Sequence, residues 1–412
     1  MTDTCYHSSL ISLDDALQRI AKNLTPIKLA EQQTLKQSLG RVLSHDCHAH
    51  FDLPPFDNSA MDGYAFNSHD ITSQAFQLTQ VGTSWAGHPF EGKLLAGQCV
   101  RIFTGGVIPD GADSVIMQEQ VQIIDDVTIQ LPSDTQAQQH IRPKGEDAQQ
   151  GDCLLSAPKQ LTATDLGLLA SAGFYNLTVN RKLRIAFFST GDELRPVGSK
   201  LAAGEIYDSN RYTLNALLQH PCHSVTDLGV LIDDKALIKQ TLLDSAENYD
   251  VIISTGGASV GDADYIQEIL TEIGEVNFWK LAIKPGKPLA FGHIKQCCFF
   301  GLPGNPISVI ATFQQLVIPA LQQLSGLPAK KPLRLKALCK STLTKKAGRL
   351  EFQRGILSQT DTGDFEVVSA GKQGSNILTA SSRANCYIIL AAEQTQVNNN
   401  QMVTVEPFEL FL

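Results

Sequence analysis

Not one CxxC pair occurs among the nine cysteines, so neither a disulfide framework nor a zinc ribbon is suggested, and the thiols are expected to be buried and reduced. No GxxxxGK(S/T) run is present either, which argues against ATP hydrolysis through a P-loop. No apolar run approaches the roughly 20 residues of a membrane span, and the start, Met1 to Leu13, lacks the basic-then-apolar order of a signal peptide. A cytoplasmic protein with no membrane partner is the expectation. Basic residues are in short supply: 33 Lys and Arg against 42 Asp and Glu leave a formal charge of −9. That balance disfavours nucleic acid as a partner, and any pocket for an anion must be built from few lysines.

What is present is enough for a multidomain globular protein. The 412 residues, 43% of them apolar, can fill about three or four cores. Ser12 with Asp15 opens a helix at Leu13, and a second helical pattern runs from Leu35 to about Leu43. From Tyr64 to about Leu155 short alternating stretches, such as Phe76 to Thr79, are broken by glycine, proline and aspartate, as in an all-β insert. Thr162 with Asp165 caps a further helix, so the first domain is read as discontinuous. The expected division is 1–50 with 156–180, a β-rich insert at 51–155, an α/β domain at 181–327 and a small β domain at 328–412.

In the α/β segment, apolar strands at Leu183 to Phe188, Val225 to Gly229, Val251 to Ser254 and Cys298 to Gly301 alternate with helical patterns, the signature of a largely parallel sheet. Ligands in such folds gather beyond the carboxyl ends of the strands. The sequence places polar or glycine-rich loops there: Thr190-Gly191-Asp192-Glu193, Asp233, the run Thr255 to Asp264, and Gly301 to Pro306. In the third, Gly256, Gly257, Ser259 and Gly261 offer backbone and hydroxyl donors to a phosphate. Asp262 and Asp264 beside a phosphate call for a divalent cation, and hard oxygen ligands suit Mg²⁺; the alternative is a glycine-rich turn with a solvated aspartate as helix cap.

Lys280, Lys284 and Lys287 surround a proline-glycine corner, and clustered cations in an acidic protein point to an oxyanion. Lys280 could also be a strand lysine whose stem covers Trp279. In the turn Pro303-Gly304-Asn305-Pro306, Asn305 and Pro306 would start a helix in any protein. His45, His48 and His50 with Cys47 are the densest group of soft ligands, but their polar setting and irregular spacing favour an ordinary connection over a metal centre.

These motifs together resemble the MoeA and gephyrin E-domain family over essentially the whole chain. The resemblance rests on Pro55 to Ala65, Phe103 to Gly106, Arg142 to Asp147, Ser189 to Leu194, the glycine loop, Lys284 to Pro288 and Leu302 to Pro306. It implies a multidomain α/β plus β architecture and molybdenum insertion into adenylylated molybdopterin, with Mg²⁺-dependent release of AMP. Glu193, Asp233 and Asp264 would hold Mg²⁺. Lys284 and Lys287, with Ser308, Arg354 and Ser375, would contact molybdate, and Pro303 to Pro306 would wall the pterin. A homodimer is implied, in which Asp62, Thr104 and Asp147 complete the partner's cleft. A molybdopterin adenylyltransferase and cofactor-receiving enzymes are the expected partners. Two other readings stay open: an adenylyltransferase, and a non-catalytic scaffold of the gephyrin type.

Overall fold

A computed structural model describes residues 10–71, 75–232, 234–256 and 265–408. It divides into two compact units, one made of Gln32–Leu39 and Leu43–Thr178, the other of Met1–Glu31, Gly40–Val42 and Val179–Leu412.

The first unit is built on a six-stranded sheet in which Gly63–Phe66 lies between Ser114–Met117 and Gln98–Ile102. Period-2 alternation separates its two cores: Tyr64 and Phe66 join Leu78, Cys99 and Ile129 on one face, while Ala65 joins Ile102 and Val115 on the other. Gly63 is required here, because a Cβ would stand 1.9 Å from the Ile116 carbonyl oxygen. Thr162 and Asp165 form a reciprocal capping box at the start of Ala163–Ser171. The helix expected from Leu35 to Leu43 is not there. Only Leu35–Gln37 makes a single 3-10 turn, and Val42–Leu43 is extended. Leu39 is exposed, and Gly40 takes φ of +71°, which breaks the run before Val42 and Leu43; these two are buried, but in extended backbone.

The second unit contains a three-layer α/β body. Its sheet runs in the order His223–Leu231, Leu183–Thr190, Val251–Thr255, Cys297–Leu302, Pro288–Ile294, Glu275–Lys280, the first four parallel and the last two antiparallel. Alternate residues feed opposite layers. Ile185, Phe187, Ile253 and Phe300 pack with the helices Leu13–Lys22, Ser209–Leu218 and Ile318–Leu324, whereas Ala186, Phe188, Ile252 and Phe299 pack with Lys235–Asn248 and Tyr265–Ile273. The two antiparallel strands were not among the apolar strands read from the sequence, since Glu275–Lys280 mixes charged and polar residues with apolar ones and Pro288–Ile294 carries a proline and a glycine.

The run Pro306–Leu324 is one helical rod with a π-helical insert at Phe313–Val317. With 19 residues and mean hydropathy 1.3 it is long and apolar enough to cross a membrane, contrary to the sequence expectation, but 67% of it is buried inside the unit. The final segment is a closed barrel of five strands, because Leu350–Gln359 pairs with both Phe365–Ser369 and Cys386–Leu390, and Gln401–Pro407 and Leu335–Cys339 complete the ring. Closure leaves no edge strand unpaired. Ile283–Lys284 also runs parallel to Leu350–Gln359, pairing Lys284 with Glu351, which joins the lysine corner to the barrel by main-chain contacts.

Candidate active site

The carboxyl ends of three parallel strands arrive side by side, since Ser189 is level with Thr255 and Thr255 with Leu302. Beyond them the chain turns on glycine. A Cβ at Gly256, where φ is +81°, would meet the Thr190 carbonyl oxygen at 2.6 Å, and one at Gly304 would lie 4.0 Å from the Gly256 Cα. The turns after two strands thus face each other with room for no more than a methyl group between them, as at a strand-end cleft. Asn210, on the helix Ser209–Leu218, donates to the Gly304 carbonyl at 2.7 Å and fixes that turn. Glu193 sits on the loop after Thr190 as an exposed carboxylate folded over Gly191. Asp233 lies outside the described residues, as do Gly257, Ser259, Gly261, Asp262 and Asp264.

Adjoining this cleft is a cavity of about 720 Å³, well within the range of small-molecule sites. Its wall comes from four segments: Lys284 to Pro288, Pro303 to Ser308, Thr342 to Gln353, and Ser369 to Ser375. Of the residues picked from sequence, Lys284, Lys287, Pro303, Gly304, Asn305, Ser308 and Ser375 all line it. Gly286, at φ +103°, lets the lysine corner press on the helix Pro306–Thr312, for a Cβ there would lie 2.6 Å from Thr312 Cγ2. Asn305 occupies the N-cap position of that helix without a side-chain capping bond. The Ile307 N–H donates to the Ser375 carbonyl at 3.0 Å, tying the barrel loop to the same turn.

Three cations, Lys284, Lys287 and Arg349, line the cavity against one carboxylate, Glu351. Glu351 is spent locally: it accepts from Lys284 Nζ at 3.1 Å and from Gln353 Nε2 at 3.0 Å. Neither Lys287 nor Arg349 has a carboxylate partner among the described residues. The cavity therefore carries positive charge in a protein of net negative charge, the electrostatic requirement for holding a compact anion. Beside it, Lys345 donates to the carbonyls of Ala391, Ala392 and Gln394, and burial pushes its ammonium pKa down.

Arg354 does not line the cavity. It is buried, and its guanidinium donates to the carbonyls of Lys372, Gln373 and Gly374, so that it shapes the loop that carries Ser375. Burial is the main cause that lowers its pKa. Arg349, Glu351, Gln353, Thr344 and Gln373 were missed from sequence. The signal was weak, because their strands follow the chain long after the lysine corner. Lys280 ends the strand Glu275–Lys280 opposite Pro288, with its carbonyl accepting from Ile11.

In the other unit Asp62 and Thr104 meet. Asp62 Oδ1 accepts from both the backbone N–H and the hydroxyl of Thr104, each at 2.8 Å, and these bonds hold the carboxyl below its ordinary pKa, the backbone one foremost. Asp147 is exposed, with its N–H bonded to the Leu53 carbonyl.

A parallel strand-end cleft opening beside a cationic cavity defines an α/β protein that binds anionic ligands. Three family descriptions match in chain order: the MoeA N-terminal region (domain I and II) at 11–173, the probable molybdopterin binding domain at 186–323, and the MoeA C-terminal region (domain IV) at 336–408. A molybdopterin molybdenumtransferase of Haemophilus influenzae is 42% identical over 98% of this chain and 100% of its own length. One from Nostoc is 33% identical over 93% and 91%. The crystal structure of a molybdopterin biosynthesis MoeA protein from Pyrococcus horikoshii OT3 superposes with a TM-score of 0.84 at 27% identity, covering 97% of this chain and all of that one. The chain belongs to the MoeA family.

Proposed function

We propose that the protein is a molybdopterin molybdenumtransferase, which inserts molybdenum into adenylylated molybdopterin and releases AMP. The observation that carries this reading is the shared turn Pro303 to Ser308: Gly304 faces Gly256 at the strand ends, close enough that an added Cβ would lie 4.0 Å from the Gly256 Cα, while the same turn lines the three-cation cavity. One ligand with a phosphate-bearing end can therefore reach from the strand-end cleft into a site for a second, compact oxyanion.

In this reading molybdate is held in the cavity by Lys284, Lys287, Ser308 and Ser375, with Arg349 added to the cationic set. Arg354 supports the Ser375 loop from behind. Lys280 stands at the foot of the same corner. Pro303 to Pro306 wall the pterin. Glu193, with Asp233 and Asp264, would hold Mg²⁺, and the exposed Glu193 carboxylate at a strand end is the hard oxygen donor such an ion takes. When bound, Mg²⁺ neutralises phosphoanhydride charge as AMP departs. Asp62, Thr104 and Asp147 would act on the cleft of a second copy in a homodimer. The protein would work in the cytoplasm without nucleic acid or membrane, receiving substrate from a molybdopterin adenylyltransferase and passing cofactor to molybdoenzyme-maturation proteins.

The test is to incubate purified protein with adenylylated molybdopterin and molybdate, with and without Mg²⁺, while following AMP and active cofactor. Mg²⁺-dependent release of AMP together with active cofactor is expected. Absence of both products at saturating substrate would overturn the assignment, and equal release without Mg²⁺ would remove the metal from it.

A further inference from the structure

The group of soft ligands near residue 45 does not stay together in the fold. His50 stacks on Phe174 with ring centroids 4.5 Å apart, His45 Nδ1 pairs with the Ser44 hydroxyl, and Cys47 turns into the interior. His48 goes elsewhere. It lies on the short strand Cys47–His48, directly opposite Cys153 on the antiparallel strand Cys153–Leu155. Strand alternation puts Asp46 and His48 on one side of the chain and Cys47 on the other. The ligand atoms of Asp46, His48 and Cys153 consequently lie within 4.8 Å of one another at the surface. Cys153 is also the only exposed cysteine of the eight described, all of which are free.

We infer that Asp46, His48 and Cys153 form a Zn²⁺ site on the β-rich unit, with a water molecule as fourth ligand. Thiolate, imidazole and carboxylate together suit this borderline cation, and three protein ligands leave one tetrahedral position open. Zinc bonds of about 2.0–2.3 Å space tetrahedral donors by roughly 3.3–3.8 Å. The three side chains are exposed, and drawing in from within 4.8 Å to that spacing is the adjustment that binding requires.

Each ligand is also oriented from outside the cluster. The Gly151 carbonyl, 3.1 Å from His48 Nδ1, can only accept, so Nδ1 carries the proton and Nε2 keeps its lone pair for a metal. Asp46 Oδ1 accepts from the Ala157 N–H at 2.7 Å, leaving Oδ2 to coordinate. The Ser156 hydroxyl lies 3.3 Å from Cys153 Sγ and can donate to the thiolate that forms when the metal displaces its proton to solvent. Outer partners of this kind are the mark of a built metal site and are themselves worth about 10–100-fold in affinity.

The full chain, stripped with chelator and kept reduced, is titrated with Zn²⁺ against a chromophoric competitor, and in parallel with Co²⁺ alone. One equivalent of tight Zn²⁺ and a thiolate-to-cobalt charge-transfer band are expected. Cys153→Ser should abolish the band and weaken Zn²⁺ at least about a hundredfold, because losing a ligand costs no less than losing its outer partner. His48→Asn should weaken Zn²⁺ comparably, and Ser156→Ala about tenfold. A parent protein without the band, or a Cys153→Ser variant with unchanged band and Zn²⁺ affinity, overturns the assignment.

Discussion

Lys284 and Glu351 are bound twice over, as register partners on parallel strands and as an ion pair of 3.1 Å between Nζ and Oε1. The carboxylate is sunk, its side chain 4% exposed, while the ammonium is 42% exposed at the cavity wall. Glu351 thus acts as a tether that aims Lys284 into the cavity.

Lys284→Ala is expected to raise the molybdate concentration for half-maximal insertion at least about tenfold, the equivalent of about 1.4 kcal/mol. Affinity for the adenylylated pterin should change less. Titrating molybdate against cofactor formation measures both, and an unchanged molybdate dependence would make Lys284 an ordinary surface cation. Glu351→Ala should give a smaller rise, roughly three- to tenfold, through loss of aim rather than of charge. Glu351→Gln keeps an oxygen at the tether and should recover most of it.

Arg354 presents a stability test. Arg354→Met removes three donated bonds and leaves the carbonyls of Lys372, Gln373 and Gly374 without their donor. The expected cost is on the order of 1–3 kcal/mol, read as a lower urea midpoint, with a raised molybdate requirement because Ser375 loses its anchor. A variant with an unchanged midpoint would show that the loop holds its own shape.

Asp62 and Thr104 test the proposed sharing of a site between two copies. Mixing an Asp62→Ala chain with a Lys284→Ala chain should restore up to about half of the sites in each mixed dimer, since one composite cleft then keeps both residues. Verified subunit exchange with no recovered insertion would assign Asp62 to its own chain.

His223 governs a pH window. Burial pushes its imidazole down to about 4, aided by nearby His220 and Lys182 and opposed by its bond to the Leu218 carbonyl at 3.0 Å. Above an ordinary pKa of about 6.5 both the folded and unfolded states carry neutral histidine. As pH falls from there toward 4, only the unfolded state takes the proton, so stability drops across that interval and the loss is complete below it. The full displacement corresponds to roughly 3 kcal/mol at most. Denaturation midpoints between pH 7 and 4 should decline in the parent and flatten in His223→Asn; parallel profiles would place the sensitivity elsewhere.

The sequence was legible where local chemistry and final geometry coincide. Val251–Thr255 and Tyr265–Ile273 are continuous apolar or amphipathic runs bounded by turn residues, and Thr162 with Asp165 announces a cap that forms. Lys284, Lys287 and the Pro303 to Pro306 turn stood out because proline and glycine fix their backbones. Arg349, Glu351 and Gln353 did not, since only the long-range pairing of Leu350–Gln359 with Ile283–Lys284 brings their segment to that corner. The Leu35 to Leu43 pattern misled because periodicity reports spacing, not backbone: Gly40 at φ +71° ends the run, and the buried pair Val42–Leu43 is extended. The pairing of Cys153 with His48 spans 105 positions of chain and follows from strand register alone.

The closed barrel contributes to the cavity through main-chain pairing with Ile283–Lys284, not through side chains alone. An oxyanion caught there touches segments of the α/β body and of the barrel at once, so it acts as a rivet between two bodies of secondary structure. Ligand binding of that kind stabilises only the assembled state. Under the proposed function molybdate would be both cargo and a gauge of completed folding, since the cavity wall needs segments of the barrel as well as of the α/β body.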